Sequence, residues 1–208
     1  MKNMLSWEFE QTATADGARV IAGIDEAGRG CLAGPVVAGA CVFSRRAAWP
    51  AGLNDSKQLS RAQRQRLYEE LTVSGDLHWA VGVASVAEID RVNILQATFL
   101  AMHRALEGLA RTVDMALIDG SQMPRLTVRI RGIVKGDGKS PSIAAASILA
   151  KETRDRMMEE AEKNFPGYEF AKHKGYGTAR HFAALGRLGP CEIHRRTFAP
   201  VARCGFKY

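Results

Sequence analysis

A chain of 208 residues with 46% hydrophobic and 25% charged side chains has the make-up of one soluble globular domain near the upper end of common domain size. No apolar run reaches the roughly 18 residues of a membrane span, Met1 to Gly17 lacks the apolar core of a signal peptide, and the four cysteines form no C-x-x-C pair, so a cytoplasmic protein with reduced thiols is expected. The net charge of +7 is segregated: Ala171 to Tyr208 carries eight Lys and Arg against Glu192 alone, whereas up to Phe170 the chain balances 21 against 21, an electrostatic footprint for a polyanion such as nucleic acid.

In chain order, Met1 to Ala18 is a polar lead-in with a short edge strand over Ser6 to Thr12. Arg19 to Asp25 and Val36 to Phe43 read as the first two strands, apolar runs bounded by Gly and Pro. Between them lie two adjacent acids, Asp25 and Glu26, and then Gly28-Arg29-Gly30. Side chains alternate across a strand, so Glu26 must sit where the strand ends or is distorted if both acids are to serve one place. Two such carboxylates either bind a cation or share a proton. A loop from Arg45 to Leu53 delivers Asn54-Asp55-Ser56-Lys57. Ser60 caps a helix over Arg61 to Val73, whose basic flank of Arg61, Arg64 and Arg66 reads as a solvated face.

Leu77 to Ala84 is a third strand, and Val86 to Ala110 a helix that buries Ile89, Val92, Leu95, Phe99, Met102, Leu106 and Leu109. His103 on that helix has no second ligand at helical spacing. Met115 to Ile118 is a short strand ending in Asp119-Gly120, and Leu126 to Ile130 another. A glycine-rich loop, Gly132 to Ser140, opens a long helix at Ser140-Pro141. It runs towards Lys163 and stops at Phe165-Pro166-Gly167. His173 to Thr178, a helix over Ala179 to Leu188 and a basic tail complete the chain. Cys191 and His194 make one C-x-x-H, but a structural zinc site needs a second half, and none is visible. This order predicts an α/β fold with a mixed sheet in a single domain: a core over 19–163 and a basic helical part over 164–208.

Three apolar or glycine-rich segments thus deliver Asp25-Glu26, Asp119 and Asp137. Together they suggest a four-carboxylate cage, whose oxygen ligands suit Mg²⁺ or Mn²⁺ and metal-assisted phosphoryl chemistry. The loop at Gly138-Lys139-Ser140 also looks like the end of a phosphate-binding P-loop. That spacing fails, because the position five before Gly138 is Ile133 and Gly132 lies one residue too far away.

The blocks D-E-A-G-R-G with the following G-P-V-V-A (25–38), N-D-S-K (54–57), I-D-G (118–120), G-D-G-K-S-P-S-I-A-A-A-S-I-L-A-K (136–151) and H-K-G-Y-G-T (173–178) closely resemble prokaryotic ribonuclease HII, the type 2 ribonuclease H. The resemblance implies the RNase H-like fold, a central five-stranded mixed sheet flanked by helices with a helical C-terminal part. It implies endonucleolytic hydrolysis of the RNA strand of RNA–DNA hybrids, including single ribonucleotides embedded in DNA. Two metal ions, Mg²⁺ or Mn²⁺, would act in an in-line displacement that leaves 3′-hydroxyl and 5′-phosphate ends.

By matching position, Asp25, Glu26, Asp119 and Asp137 are the implied catalytic metal ligands. Gly28, Arg29 and Gly30 match the loop that reads the ribose 2′-hydroxyl through its main chain, which is independent of base identity. Tyr176 matches the tyrosine that packs on the sugar at the RNA–DNA junction; a buried aromatic in a turn is the alternative, but a large ring on a Gly-flanked loop beside His173 and Lys174 suits sugar packing better. Lys57, Lys139 and the basic tail become phosphate contacts. One departure is Gly138, where the family has alanine, and it bears on loop stiffness alone. The alternatives are a P-loop-type nucleotide hydrolase and a non-catalytic basic nucleic-acid-binding module. A monomer is expected, and a replication or transcription partner for the tail from Phe198 to Tyr208 is not named by the sequence.

Overall fold

The structure, a computed structural model, describes residues 5–44 and 49–204. The expected ends of the tail, Gly205 to Tyr208, and part of the loop from Arg45 lie outside the described residues. In order the elements are α1 (Glu8–Ala15), β1 (Ile21–Ala27), β2 (Val36–Phe43), α2 (Arg61–Val73), β3 (Leu77–Ala84), α3 (Val86–Val92), α4 (Ile94–Glu107), β4 (Met115–Asp119), β5 (Arg129–Ile133), α5 (Pro141–Asn164), α6 (Phe170–His173), α7 (Ala179–Leu188) and α8 (Ala199–Ala202).

The five strands form one mixed sheet in the order β3-β2-β1-β4-β5. Antiparallel ladders join β1 to β2 and β2 to β3, while β4 runs parallel to both β1 and β5. Strand alternation divides the core into two faces. Ala22 and Ile24 of β1 and Ala116 and Ile118 of β4 pack with Ala101, Met102 and Ala105 of α4. Ile21, Met115 and Leu117 point the other way, where they meet Ile143 of α5. On that second face α5 approaches the sheet so closely that a Cβ on Gly23 would overlap the main chain of Ser142. Cys41 and the Ala144-Ala145-Ala146 run of α5 continue this face outward to Leu67 and Leu71 of α2. Burying each such leucine contributes roughly 1.5–3 kcal/mol.

The structure corrects the sequence reading in four places. Ser6 to Thr12 is not an edge strand: the segment enters α1, which sends Glu10 into the start of α5, where its Oε1 accepts hydrogen bonds from the hydroxyls of Ser140 (2.6 Å) and Ser142 (2.8 Å). The first strand begins at Ile21 and continues through Glu26 to Ala27, since its ladder with β2 outlasts its ladder with β4. The helix from Val86 breaks at Asn93, whose φ of 70° ends α3 and whose side chain accepts from the N–H groups of Leu95 and Gln96 to start α4. The last strand lies at Arg129–Ile133, three residues beyond the apolar run, because its register pairs Met115 with Arg129. Leu126 and Val128 instead pack against the α4-side core. Arg129 and Arg131 of this edge strand reach the α1 segment, Arg129 Nη1 donating to Asp16 O at 2.9 Å and the Arg131 guanidinium lying 5.6 Å from the Phe9 ring centroid, and charged side chains on an edge strand discourage strand addition. No described helix is long and apolar enough to cross a membrane.

Candidate active site

The two sheet faces decide which acids meet. Asp25 follows Ile21 and Gly23 on the α5 side of β1, and Asp119 follows Met115 and Leu117 on the same side of β4. A short 3-10 turn over Gly136–Gly138, just before α5, brings Asp137 to the same point. Carboxylate oxygens of Asp25, Asp119 and Asp137 lie within 4.8 Å of one another, and among the described residues this is the one acidic group compact enough to hold a cation. The β4 end and the turn are tied directly, for Gly136 N–H donates to Asp119 Oδ1 at 2.7 Å.

Glu26 belongs to the opposite face by the same alternation. Its carboxylate is paired with Arg29 Nη1 at 3.4 Å and stands at the rim of the cleft, outside the triad. It also borders an adjoining hollow with Phe99 and Met102 of α4. The expectation that β1 ends or is distorted there is therefore half right. The strand does not end at Glu26; only its partner β4 has gone.

Burial dominates the electrostatics. The Asp25 carboxyl is pushed well above the usual carboxylate range by desolvation, and next by the neighbouring charges of Glu26 and Asp119. Desolvation also raises Glu26, against the Arg29 guanidinium, and raises Asp137, against Lys57. Lys57 Nζ sits 3.1 Å from Asp137 Oδ2, an ion pair that pushes the lysine up. The two partners thus move in the same direction. Burial of Asp137 outweighs the pair, because the Lys57 side chain is 75% exposed and water screens its charge. Clustered buried acids held away from their comfortable ionised state are what a divalent cation would relieve, so the donor set fits a hard metal ion.

Across the cleft stand Gly28-Arg29-Gly30 and Tyr176. Gly28 has φ +99°, and a Cβ there would overlap the side chain of Arg154, so both the conformation and the space demand glycine. Among the described residues nothing accepts a hydrogen bond from the main-chain N–H of Arg29 or Gly30. The tyrosine loop is zipped to this loop: Cys31 and Tyr176 form an antiparallel bridge, and Leu32 N–H donates to Gly175 O at 2.8 Å. The Tyr176 ring remains 43% exposed, with Lys151 Nζ 5.7 Å from its centroid.

The remaining expected contacts divide. Lys57 is at the cleft but engaged with Asp137, whereas Lys139 does not line it, and its Nζ donates to Val134 O at 2.7 Å. Arg61, Arg64 and Arg66 are each paired with a glutamate, namely Glu159, Glu152 and Glu70. Cys191 Sγ lies 3.1 Å from His194 Nδ1, in a buried cluster with Phe170 and His181. His103 pairs with Glu107 one turn on. Two side chains lining the cleft were missed, Ser147, which hydrogen-bonds Ser56 at 2.8 Å, and Lys151, and so were the buried Arg154 and Arg195 behind the loop at Gly28. Ser147 and Lys151 stand one turn apart on α5, a spacing visible in the sequence once α5 is placed against Asp25. The two arginines carried no such signal, since arginine is ordinarily exposed.

The family model described as Ribonuclease HII matches residues 22–201. A Ribonuclease HII of Burkholderia lata is 57% identical over 183 residues, covering 88% of this chain and 84% of that protein. One of Chlamydia caviae is 50% identical over 193 residues, covering 93% and 90%. Among solved structures, the chain is similar to one in the PCNA:RNase HII complex from Archaeoglobus fulgidus, with a TM-score of 0.74, 26% identity and coverage of 86% of this chain and 95% of that one.

Proposed function

The chain belongs to the ribonuclease HII family, and from that premise we propose that Asp25, Asp119 and Asp137, with Glu26 at the rim, hold divalent cations against a phosphodiester whose ribose is read by Gly28-Arg29-Gly30. It is a metal-dependent endoribonuclease that hydrolyses the RNA strand of RNA–DNA hybrids. We assign Mg²⁺ or Mn²⁺ to the acids on the chemistry of an all-oxygen donor set. Held by Asp25, Asp119 and Asp137, a divalent cation would supply activation of a water for in-line attack and charge neutralisation at the leaving 3′ oxygen, with 3′-hydroxyl and 5′-phosphate products. The chain's own groups supply the rest. Asp119 and Asp137, joined through Gly136, fix the width of the cage; Lys57 offsets its excess negative charge until substrate arrives.

The observation that carries the reading is the juxtaposition across one cleft of an acid triad and two main-chain N–H groups, unpartnered among the described residues, beside an exposed tyrosine. The 2′-hydroxyl is the group that tells RNA from DNA at a given ribose, and glycine-held amides reach it without reading the base. Tyr176 packs on the junction sugar, which extends the substrate range to a lone ribonucleotide in DNA. Because Tyr176 comes from the basic helical part and the acids from the core, the two parts act as one catalytic unit. The four cysteines are free, consistent with a cytoplasmic enzyme.

The test is a DNA duplex bearing one ribonucleotide, incubated with Mg²⁺ or Mn²⁺ while ATP turnover is followed in parallel. Cleavage on the 5′ side of the ribonucleotide without ATP hydrolysis is the expected outcome. ATP turnover would favour a nucleotide hydrolase, and binding without cutting a non-catalytic module. Asp25→Asn is expected to abolish cleavage while duplex binding and folding survive. Retained cleavage would remove Asp25 from the metal set.

A further inference from the structure

Arg154 and Arg195 are fully buried, each with 0% exposure. A buried guanidinium is ordinarily answered by a carboxylate. Here all seven hydrogen bonds of the two side chains go to main-chain carbonyls. Arg195 donates to Gly28 O (2.7 Å), Arg29 O (2.9 Å), Gly34 O (3.0 Å) and Pro35 O (3.3 Å). Arg154 donates to Pro35 O (2.9 Å), Ala33 O (3.0 Å) and, on the tyrosine loop, Lys174 O (2.8 Å).

The consequence follows from peptide geometry. In a trans peptide the C=O and the next residue's N–H point in opposite directions. With Gly28 O and Arg29 O drawn inward onto Arg195, the N–H groups of Arg29 and Gly30 are turned away from it, and these are the two amides left without an acceptor among the described residues. Arg154 joins the same loop to Lys174, two residues before Tyr176, and so sets the spacing between the ribose reader and the sugar-packing ring. We propose that Arg195 and Arg154 are positioning residues for ribose recognition: Arg195 aims the two amides at the 2′-hydroxyl, and Arg154 holds the tyrosine loop at a fixed distance from them. The inference rests on the ribose-reading role given above to Gly28-Arg29-Gly30. It also gives one cation of the basic segment a task other than phosphate contact.

A planar guanidinium fork can hold several carbonyls at fixed angles, and an ammonium cannot, so Arg195→Lys keeps the charge and loses the geometry. Binding is measured in the full chain carrying Asp25→Asn, so that the duplex stays intact. The parent is expected to prefer a duplex with one ribonucleotide over the same all-DNA duplex by roughly tenfold, about the worth of one good hydrogen bond, and Arg195→Lys to bring that ratio to within about twofold of unity with all-DNA affinity unchanged. A merely structural role would weaken both duplexes together. If the parent discriminates and Arg195→Lys discriminates equally, the clamp is wrong and the ribose reader stands. If the parent shows no preference, the ribose-reading role itself falls, and the clamp with it. Should the variant not fold, the Asp25→Asn parent labelled with ¹⁵N-arginine decides: the Arg195 Nε–H resonance is expected to shift on adding the ribonucleotide duplex and not the all-DNA duplex. A resonance that responds alike to both overturns the proposal.

Discussion

At the scale of single residues the site is built at the expense of stability. Asp25, Glu26 and Asp137 all have carboxyls raised above their ordinary values, with desolvation the largest cause in each. In the window between the unfolded value near 4 and the raised folded value, the folded chain holds protons that the unfolded chain has released. Stability is therefore lost as pH rises through that window, the reverse of a salt-bridged acid. Without metal, Asp25→Asn is expected to raise the thermal midpoint relative to the unmutated chain, by more at about pH 8 than at about pH 5. Adding Mn²⁺ or Mg²⁺ should raise the midpoint of the unmutated chain, again more at the higher pH, since protons compete for the same oxygens. Calorimetry at the two pH values checks both, and an equal metal shift at each would argue that the cluster is already fully ionised.

Gly138 is a residue of a different kind. A Cβ there meets nothing within 4 Å, and its φ lies outside the left-handed range. Gly138→Ala is expected to stabilise the chain by about 0.4–1 kcal/mol by restricting the unfolded state, a gain readable in urea unfolding. The acids and the glycine triplet were legible because their chemistry is unusual in an apolar setting. That Glu26 stands apart from the triad was legible only as a question, since alternation along β1 forbids both acids one face and only the neighbouring strand says where pairing stops.

At the scale of elements, packing overrode local pattern in each misread segment. Val36–Phe43, Arg61–Val73, Leu77–Ala84 and Ala179–Leu188 coincide with their expected bounds, because caps and apolar periodicity agree there. The α1 segment carries no such agreement, and what holds it is distant in sequence. Glu10 Oε1 accepts from Ser140 Oγ, Ser142 Oγ and Ser142 N–H, capping the N-terminus of α5 from another helix. Ser6 N–H reaches Lys139 O as well, so α1 braces the turn that presents Asp137. Glu10→Ala would leave buried donors without an acceptor and is expected to cost about 1–3 kcal/mol, measured by chemical denaturation. A cost under the error of the measurement would mean that water replaces the carboxylate.

At the scale of the whole molecule, the charge count overstates what is free to meet phosphates. Of the eight cations after Phe170, Lys172 and Arg180 pair with Glu169, Lys174 is buried against Glu159, and Arg195 is buried among carbonyls. Arg187 donates only to Gly167 O, and the Arg203 guanidinium has no partner among the described residues. The segregated basic tail is thus partly a structural device: Lys174 holds the helical part to α5, Arg195 holds it to the loop at Gly28, and Lys172 and Arg180 are paired within it. Each phosphate neutralised steepens the dependence of log affinity on log salt by about 0.9 for duplex DNA. Neutralising Lys172 and Arg180 together is therefore expected to change that slope by less than about 1, because Glu169 is released as they are removed. Replacing Arg187 and Arg203 by Gln should flatten it by up to about 1 each. Fluorescence anisotropy with a hybrid duplex across a salt series separates the cases. The opposite ranking would mean that the Glu169 pairs open on binding and that nucleic acid, rather than the fold, is the stronger claimant on these cations.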